Sequence, residues 1–320
     1  MRKTMTKTFI LLLIRVLYFF KIKLGIRIPG LGRAQKMLKT SFQFKVNNKL
    51  YHYDPSIEGS YDFLLIGKSN EPETHLFLKR VVPGLHLTNF IDVGASVGEF
   101  VLGISNYPNV QKIFAFEPRP DCAEVLQRNL DLNKEDRGTL FRNAASDKNG
   151  SITMHLNPGG TSSGIYAHNG SSKRTIEISA IILDDALPEY LENPIMLIDV
   201  EGAEPLVLKG GKLFIANNRP LIIFEFNTTS KEFFTLEDIQ NILGGNYTVY
   251  RLKSDGNLDR EFSNSWNCVA VPGNSVFSDI LFPLETALQP VFVPDTGTFF
   301  VENLLKKSSS QLPGLLRIVP

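Results

Sequence analysis

Five acids stand at the ends of short apolar runs: Asp92 after F-I, Glu117 after K-I-F-A-F, Asp199 and Glu201 after P-I-M-L-I, and Glu225 after L-I-I-F. A carboxylate delivered by a buried run is costly unless it is paired. The pattern therefore calls for partners: a cation, a cluster of backbone amides or a metal. The first acid carries the most local information. In N-F-I-D-V-G-A-S-V-G-E-F, residues 89–100, Gly94 and Gly98 frame a turn between an apolar run and a segment from Val97 onward that can begin a helix. Strand, glycine turn and helix is how an open α/β sheet receives a nucleotide-like ligand. Gly94 supplies either an unusual φ or room for that ligand. The D-x-G-x-x-x-G spacing differs from the G-x-G-x-x-G of dinucleotide binders, and no G-x-x-x-x-G-K-[ST] is present to hold a triphosphate. An acid ahead of the first glycine suits a ligand with an ammonium group, and S-adenosylmethionine is such a ligand. A purely structural glycine turn is the competing reading.

The remaining acids take their roles from position. The strand after the glycine turn, Lys112 to Pro120, ends on Glu117 and is stopped by Pro118. A carboxylate there can accept charge-assisted hydrogen bonds from both hydroxyls of a ribose; the bland alternative is a strand-end acid paired with Arg119. Asn143 and Ala144 end a third strand, T-L-F-R-N-A-A, where a side chain or an amide could read an adenine edge. P-I-M-L-I then delivers Asp199 and Glu201 to the same rim before Gly202 turns the chain, and R-P-L-I-I-F-E-F-N adds Glu225 and Asn227. Asp199 fits a general base, or a ligand of a divalent ion that acidifies a hydroxyl, with Glu201 or Glu225 assisting; a helix cap is the alternative. Asp199 and Glu225 are the candidate metal ligands. His155 and His168 are further candidate bases, although a histidine in a strand or loop is more often structural.

These positions require an α/β fold whose parallel strands alternate with helices. E-T-H-L-F-L-K-R-V-V reads as a helix closed by Pro83 and Gly84, and Asp121 as the cap of a helix reaching Asn133. S-I-T-M-H-L-N and T-I-E-I-S-A-I-I-L alternate, predicting an added antiparallel hairpin over the nucleotide side of the sheet. Y-T-V-Y-R-L and N-C-V-A-V-P read as closing antiparallel strands. The expected organisation is an apolar and basic N-terminal helix at 1–25, a mixed lead-in at 26–88, the main domain at 89–273 and an irregular C-terminal extension at 274–320.

The 320 residues, 43% hydrophobic and 21% charged, suit a folded soluble chain. A net charge of +1 offers no field to recruit nucleic acid. Two distant cysteines, Cys122 and Cys268, make neither a disulfide framework nor a zinc site and fit a reducing compartment. The apolar run Phe9–Phe20 is shorter than the ~20 residues that span a bilayer and is broken by Arg15. Residues 9–23 are therefore either an interfacial helix on an anionic membrane surface or a helix packed on the domain or on a partner. The expected location is cytoplasmic, with peripheral contact to the inner face of a membrane as an option.

Together, F-I-D-V-G-A-S-V-G, F-E-P-R-P, N-A-A-S-D-K-N-G, T-S-S, L-D-D-A-L, L-I-D-V-E-G-A-E with a following L-K-G, and R-P-L-I-I-F-E resemble the FkbM family of S-adenosylmethionine-dependent methyltransferases, over residues 89–227. The resemblance implies a Rossmann-like class I methyltransferase sheet and O-methylation of a hydroxyl on a sugar, glycan or related metabolite. It implies cofactor contacts at Asp92, Gly94, Ala95, Gly98, Glu117, Pro118, Asn143, Ala144 and Asp199, with Asp199 and Glu201 near the acceptor. The lysine common in that family two positions before the aspartate is Leu197 here. A nucleic-acid 2′-O-methyltransferase and a non-catalytic, membrane-associated protein with the same fold are the other readings.

Overall fold

The computed structural model describes residues 8–17, 37–61, 63–156, 163–167, 174–262 and 267–283, together with two short strands, Pro290–Val293 and Thr298–Val301. Most of the expected N-terminal segment, including residues 18–23, as well as His168 and residues 302–320, lies outside these.

In chain order, helix α1 (residues 8–17) precedes a hairpin of β1 (Phe42–Val46) and β2 (Lys49–Tyr53), then α2 (Pro72–Val81) and β3 (Thr88–Val93). Next come α3 (Glu99–Ile104), β4 (Val110–Phe116), α4 (Pro120–Asn133), β5 (Gly138–Phe141), and the small sheet strands β6 (Ala144–Ala145), β7 (Gly150–His155) and β8 (Thr175–Ile181). After α5 (Leu183–Ala186) follow β9 (Pro194–Ile198), α6 (Glu204–Gly210), α7 (Lys212–Asn218), β10 (Leu221–Glu225), α8 (Leu236–Leu243), β11 (Tyr247–Leu252), β12 (Leu258–Asp259), β13 (Asn267–Pro272) and α9 (Val276–Leu281).

The central sheet runs β12-β11-β13-β10-β9-β3-β4-β5. Strands β10, β9, β3, β4 and β5 are mutually parallel, and β13 is antiparallel to both its neighbours. The apolar runs are continuous rather than alternating because both faces are covered. Phe90, Ile113, Leu197 and Ile223 enter one core with residues of α2, α3 and α4. Ile91, Phe114, Met196 and Ile222, each next to one of these in its strand, enter the other with residues of α6, α7 and α8. Successive side chains of a strand point to opposite faces, so a single pattern fills both cores.

Two expectations need correction. Ala144 and Ala145 do not continue the third strand: β5 ends at Phe141, and Ala144 and Ala145 pair instead with Ala180 and Ile181 of β8 in the separate three-stranded sheet. Asp121 does not cap α4. Pro120 occupies its first turn, Arg119 is the extended N-cap residue, and Asp121 receives the Arg119 guanidinium at 2.7 Å. Helix α1 lies on the domain, with Ile10 and Ile14 buried in its larger core, while Phe9, Leu12 and Val16 stay exposed on its other face. Among the described residues no helix is long and apolar enough to cross a membrane.

Candidate active site

A cavity of about 330 Å³ opens at the carboxyl edge of the parallel strands. That volume lies at the lower end of the range for small-molecule sites and admits one cofactor-sized molecule. Its walls come from most of the segments the sequence singled out, the exit of β10 excepted. The turn after β3 contributes Gly94, Ala95 and Ser96; the exit of β4 gives Glu117, Pro118 and Arg119; the small sheet adds Asn143, Ala144, Ile152, Met154 and Ile178; and the exit of β9 gives Asp199, Val200 and Glu201.

The turn holds its shape through backbone chemistry. Gly94 has φ +94°, and a Cβ there would stand 1.8 Å from the Asp199 carbonyl oxygen. The glycine is required by this φ, as the first of the two readings expected, and by the close approach of the β9 exit; Gly94 also lines the cavity. Gly98 does not line the cavity. It precedes α3 with φ +86°, and a Cβ would collide with Leu126 of α4 at 2.4 Å. Its requirement is helix packing as well. Asp92 is 2% exposed and lies behind the wall, with Oδ2 lacking a hydrogen-bond partner. Burial first, then the charges of Glu71, Glu117 and Glu99, push its carboxyl well above the usual range.

Glu117 is held in place by two backbone amides. Its Oε2 accepts from the Ser96 amide at 2.7 Å and its Oε1 from the Arg119 amide at 2.8 Å. A carboxylate has about four acceptor sites, so two remain after both amides are served. Burial raises the group to about 7 against the opposing pull of those two amides. Apolar residues share the cavity wall with it: Phe116, stacked on Phe141 at 4.5 Å, with Pro118, Ala144 and Ile178.

Three more acids gather at the exits of β9 and β10. One carboxylate oxygen from each of Asp199, Glu201 and Glu225 lies within 4.8 Å of the others. Asp199 and Glu201 line the cavity, whereas Glu225 sits behind them. Burial and the neighbouring Glu225 charge raise the Asp199 carboxyl well above its ordinary value. Burial, then Glu201 and Glu204, raise Glu225 to about 9. His155 contributes no wall; its backbone pairs with Gly164, and the adjacent Met154 faces the cavity instead.

Sequence reasoning passed over four residues. Asn70 and Glu71, just ahead of α2, reach the cavity from the lead-in, and Glu99 at the start of α3 joins them. The Asn70 amide donates to Glu99 Oε1 at 2.8 Å, and His75 lies 3.0 Å from the same oxygen. Asn267 Nδ2 donates to Glu71 Oε2 at 2.6 Å, which ties α2 to β13. Burial pushes Glu71 up to about 7. Glu204 is fully buried, raised to about 8 by desolvation, and accepts from the Val200 amide at 3.2 Å. No local pattern marks Asn70 or Glu71, because only tertiary packing brings the lead-in to the rim. Five carboxylates and one guanidinium, Arg119, thus line a single cavity. Such a surface favours a cationic ligand.

Parallel strands wound outward in both directions from β3, a reversed β13, a glycine turn after β3 and acids at the β4 and β9 exits define a Rossmann-like class I methyltransferase domain. Residues 92–252, half of the chain, match the family described as Methyltransferase FkbM domain, and the protein belongs to that family. It is similar to the methyltransferase sdnD of Sordaria araneosa, 32% identical over 38% of this chain and 59% of that protein. It also resembles the hexuronic acid methyltransferase AglP of Haloferax volcanii, 35% identical over 37% and 48% respectively, and the 2-O-methyltransferase NoeI of Sinorhizobium fredii, 29% identical over 40% and 59%. The chain thus spans about half the length of the curated relatives it matches. A solved FkbM methyltransferase from Methylobacillus flagellatus aligns with a TM-score of 0.42 at 19% identity, over 68% of this chain and 53% of that one.

Proposed function

We propose that the protein is an S-adenosylmethionine-dependent O-methyltransferase acting on a hydroxyl of a sugar, glycan or related metabolite. The observation that carries this reading is Glu117: a buried carboxylate at the exit of β4, oriented by two backbone amides, with acceptor capacity left over in the same cavity as Asp199. The residues fit such a cofactor on three counts. Glu117 can take the two ribose hydroxyls, Ala144, Ile152 and Ile178 offer an apolar slot beside Asn143, and the acids Glu71, Glu99 and Asp199 suit a positively charged end. The relatives named for hexuronic acid and 2-O-methylation support a hydroxyl acceptor.

When bound, the cofactor supplies an electrophilic methyl group on a sulfonium. The protein's part is alignment, which can contribute roughly 7–11 kcal/mol of the barrier. Asp199 is the group placed to orient the acceptor hydroxyl and draw on its proton, with Glu201 beside it and Glu225 behind. A carboxyl raised by burial is a stronger base than one in water, and base assistance adds about 10²–10⁴ in rate. Helix α1 offers Phe9, Leu12 and Val16 as a surface for peripheral membrane contact, with the exposed Arg15 beside them.

Calorimetric titration with S-adenosylmethionine tests the reading. We expect one site per chain, weakened at least tenfold in Glu117→Ala, and methyl transfer from labelled cofactor to a cell-envelope glycan extract. Absence of any binding heat, or a Glu117→Ala protein that binds as the wild type does, overturns it.

A further inference from the structure

Strands β9 and β10 run parallel with Ile198 opposite Phe224, so the residues that follow, Asp199 and Glu225, leave the sheet side by side. Glu201 joins them because the chain turns back through left-handed backbone at Glu201 (φ 56°) and Gly202 (φ 99°). A glutamate rarely adopts that conformation. Here it carries a third carboxylate to the other two, one oxygen from each lying within 4.8 Å of the others.

A second observation is independent of that convergence. Glu225 is 7% exposed; its Oε1 accepts from Asn227 Nδ2 at 2.6 Å, but its buried Oε2 has no hydrogen-bond partner. Asn227 is itself fixed, its Oδ1 accepting from the amides of Thr229 at 2.7 Å and Ser230 at 3.0 Å. A carboxylate locked in orientation by an outer layer, with one buried oxygen unserved, is the arrangement of a metal ligand.

We propose that Asp199, Glu201 and Glu225 bind one divalent cation of the hard, oxygen-seeking kind, Mg²⁺ or Mn²⁺, on the acceptor side of the cavity. The donors are all carboxylate oxygens, which suits these ions and not zinc or copper. Such an ion keeps several of its positions for water or substrate, and Asp199 and Glu201 face the cavity. The site therefore favours acceptors that present two neighbouring oxygens, as adjacent sugar hydroxyls do. That role toward the acceptor rests on the methyltransferase reading; the binding of the ion does not.

The full chain, stripped with chelator, is titrated with Mn²⁺ and the free ion followed by electron paramagnetic resonance. We expect one Mn²⁺ per chain, displaced by excess Mg²⁺, and a Mn²⁺-dependent rise in melting temperature. Glu225→Gln and Asp199→Asn should each weaken binding at least tenfold, and Asp255→Asn, at an exposed acid far along the chain, should not. No saturable binding up to millimolar Mn²⁺, or binding indifferent to Glu225→Gln, overturns the proposal. Should Glu225→Gln fail to fold, Asp199→Asn and the wild-type melting shift decide, and the absence of either effect counts against the site. A parallel titration with S-adenosylmethionine in chelator separates the two readings. Cofactor bound without any Mn²⁺ site rejects the ion alone, and Mn²⁺ bound without cofactor rejects the methyltransferase assignment alone.

Discussion

Glu117 and Asp199 both follow buried strands, yet their surroundings give them different work. Glu117 accepts from two backbone amides, and these hold it as a hydrogen-bond acceptor. Burial first, and then the charges of Glu225, Glu71, Glu201 and Glu204, hold the Asp199 carboxyl well above its ordinary value. Asp199→Asn keeps the size and removes the capacity to take a proton. We expect turnover to fall by about 10²–10⁴, well beyond any loss of affinity for S-adenosylmethionine. Steady-state rates beside calorimetry check this, and full turnover in the variant would reject Asp199 as the acceptor-side group. Both residues were legible because each ends a local apolar run. Glu71 was not: it precedes Pro72 at a helix start, where an acid is ordinary, and only Asn267, 196 positions away, reveals its place. Glu225 was legible as a strand-end acid, but its position behind Asp199 was not.

Elements were more readable than residues, for the same reason: their signals are local. The strand, turn and helix of residues 88–104, the β7–β8 hairpin and the capped helix α8, where Thr235 and Asp238 bond reciprocally, all follow from periodicity and cap chemistry. The split between β5 and β6 was hidden, since Ala144 and Ala145 take their partners from β8, 36 positions on. The two glycines of the turn were visible, and so was the unusual φ at Gly94, but the packing behind them was not: a Cβ on Gly94 would meet the Asp199 carbonyl, at the exit of the neighbouring parallel strand. The contrast with Gly67 is testable. Gly67 has φ +79°, and the space a Cβ would take there is open, so Gly67→Ala should cost about 1–2 kcal/mol from backbone conformation alone. Gly94→Ala adds a 1.8 Å collision with backbone, and should cost more than ~3 kcal/mol or abolish folding. Denaturant melts of the two variants decide it, and equal losses would mean that the β3 turn and the β9 exit are not locked together.

At the scale of the molecule, gathering buried acids around one cavity links stability to pH. Glu71 and Glu117 are each pushed up to about 7, mainly by burial, from an ordinary value of 4.5. Between those values the folded chain holds protons that the unfolded chain has released. Unfolding then loses protons, so stability declines as pH rises. The contribution is present in full below about 4.5 and is lost as pH passes through 7. Asp92, raised well above its ordinary value mainly by burial, acts in the same direction. For a domain of this size each kcal/mol moves the melting temperature by roughly 2–4 °C. We therefore expect the chelator-treated protein without cofactor to melt several degrees lower at pH 8 than at pH 5.5, the reverse of the acid sensitivity common in proteins with paired carboxylates. The double variant Glu71→Gln, Glu117→Gln replaces both groups by neutral isosteres and should flatten the curve. A bound cationic ligand should flatten it too, because it offsets the charge that the cavity otherwise carries above pH 7. Melting curves at pH 5.5, 7 and 8 for both proteins test the argument. A wild-type melting temperature that rises with pH, or a slope unchanged in the double variant, would show that the rim acids remain ionised across this range and that the cavity is wetter and better screened than its burial implies.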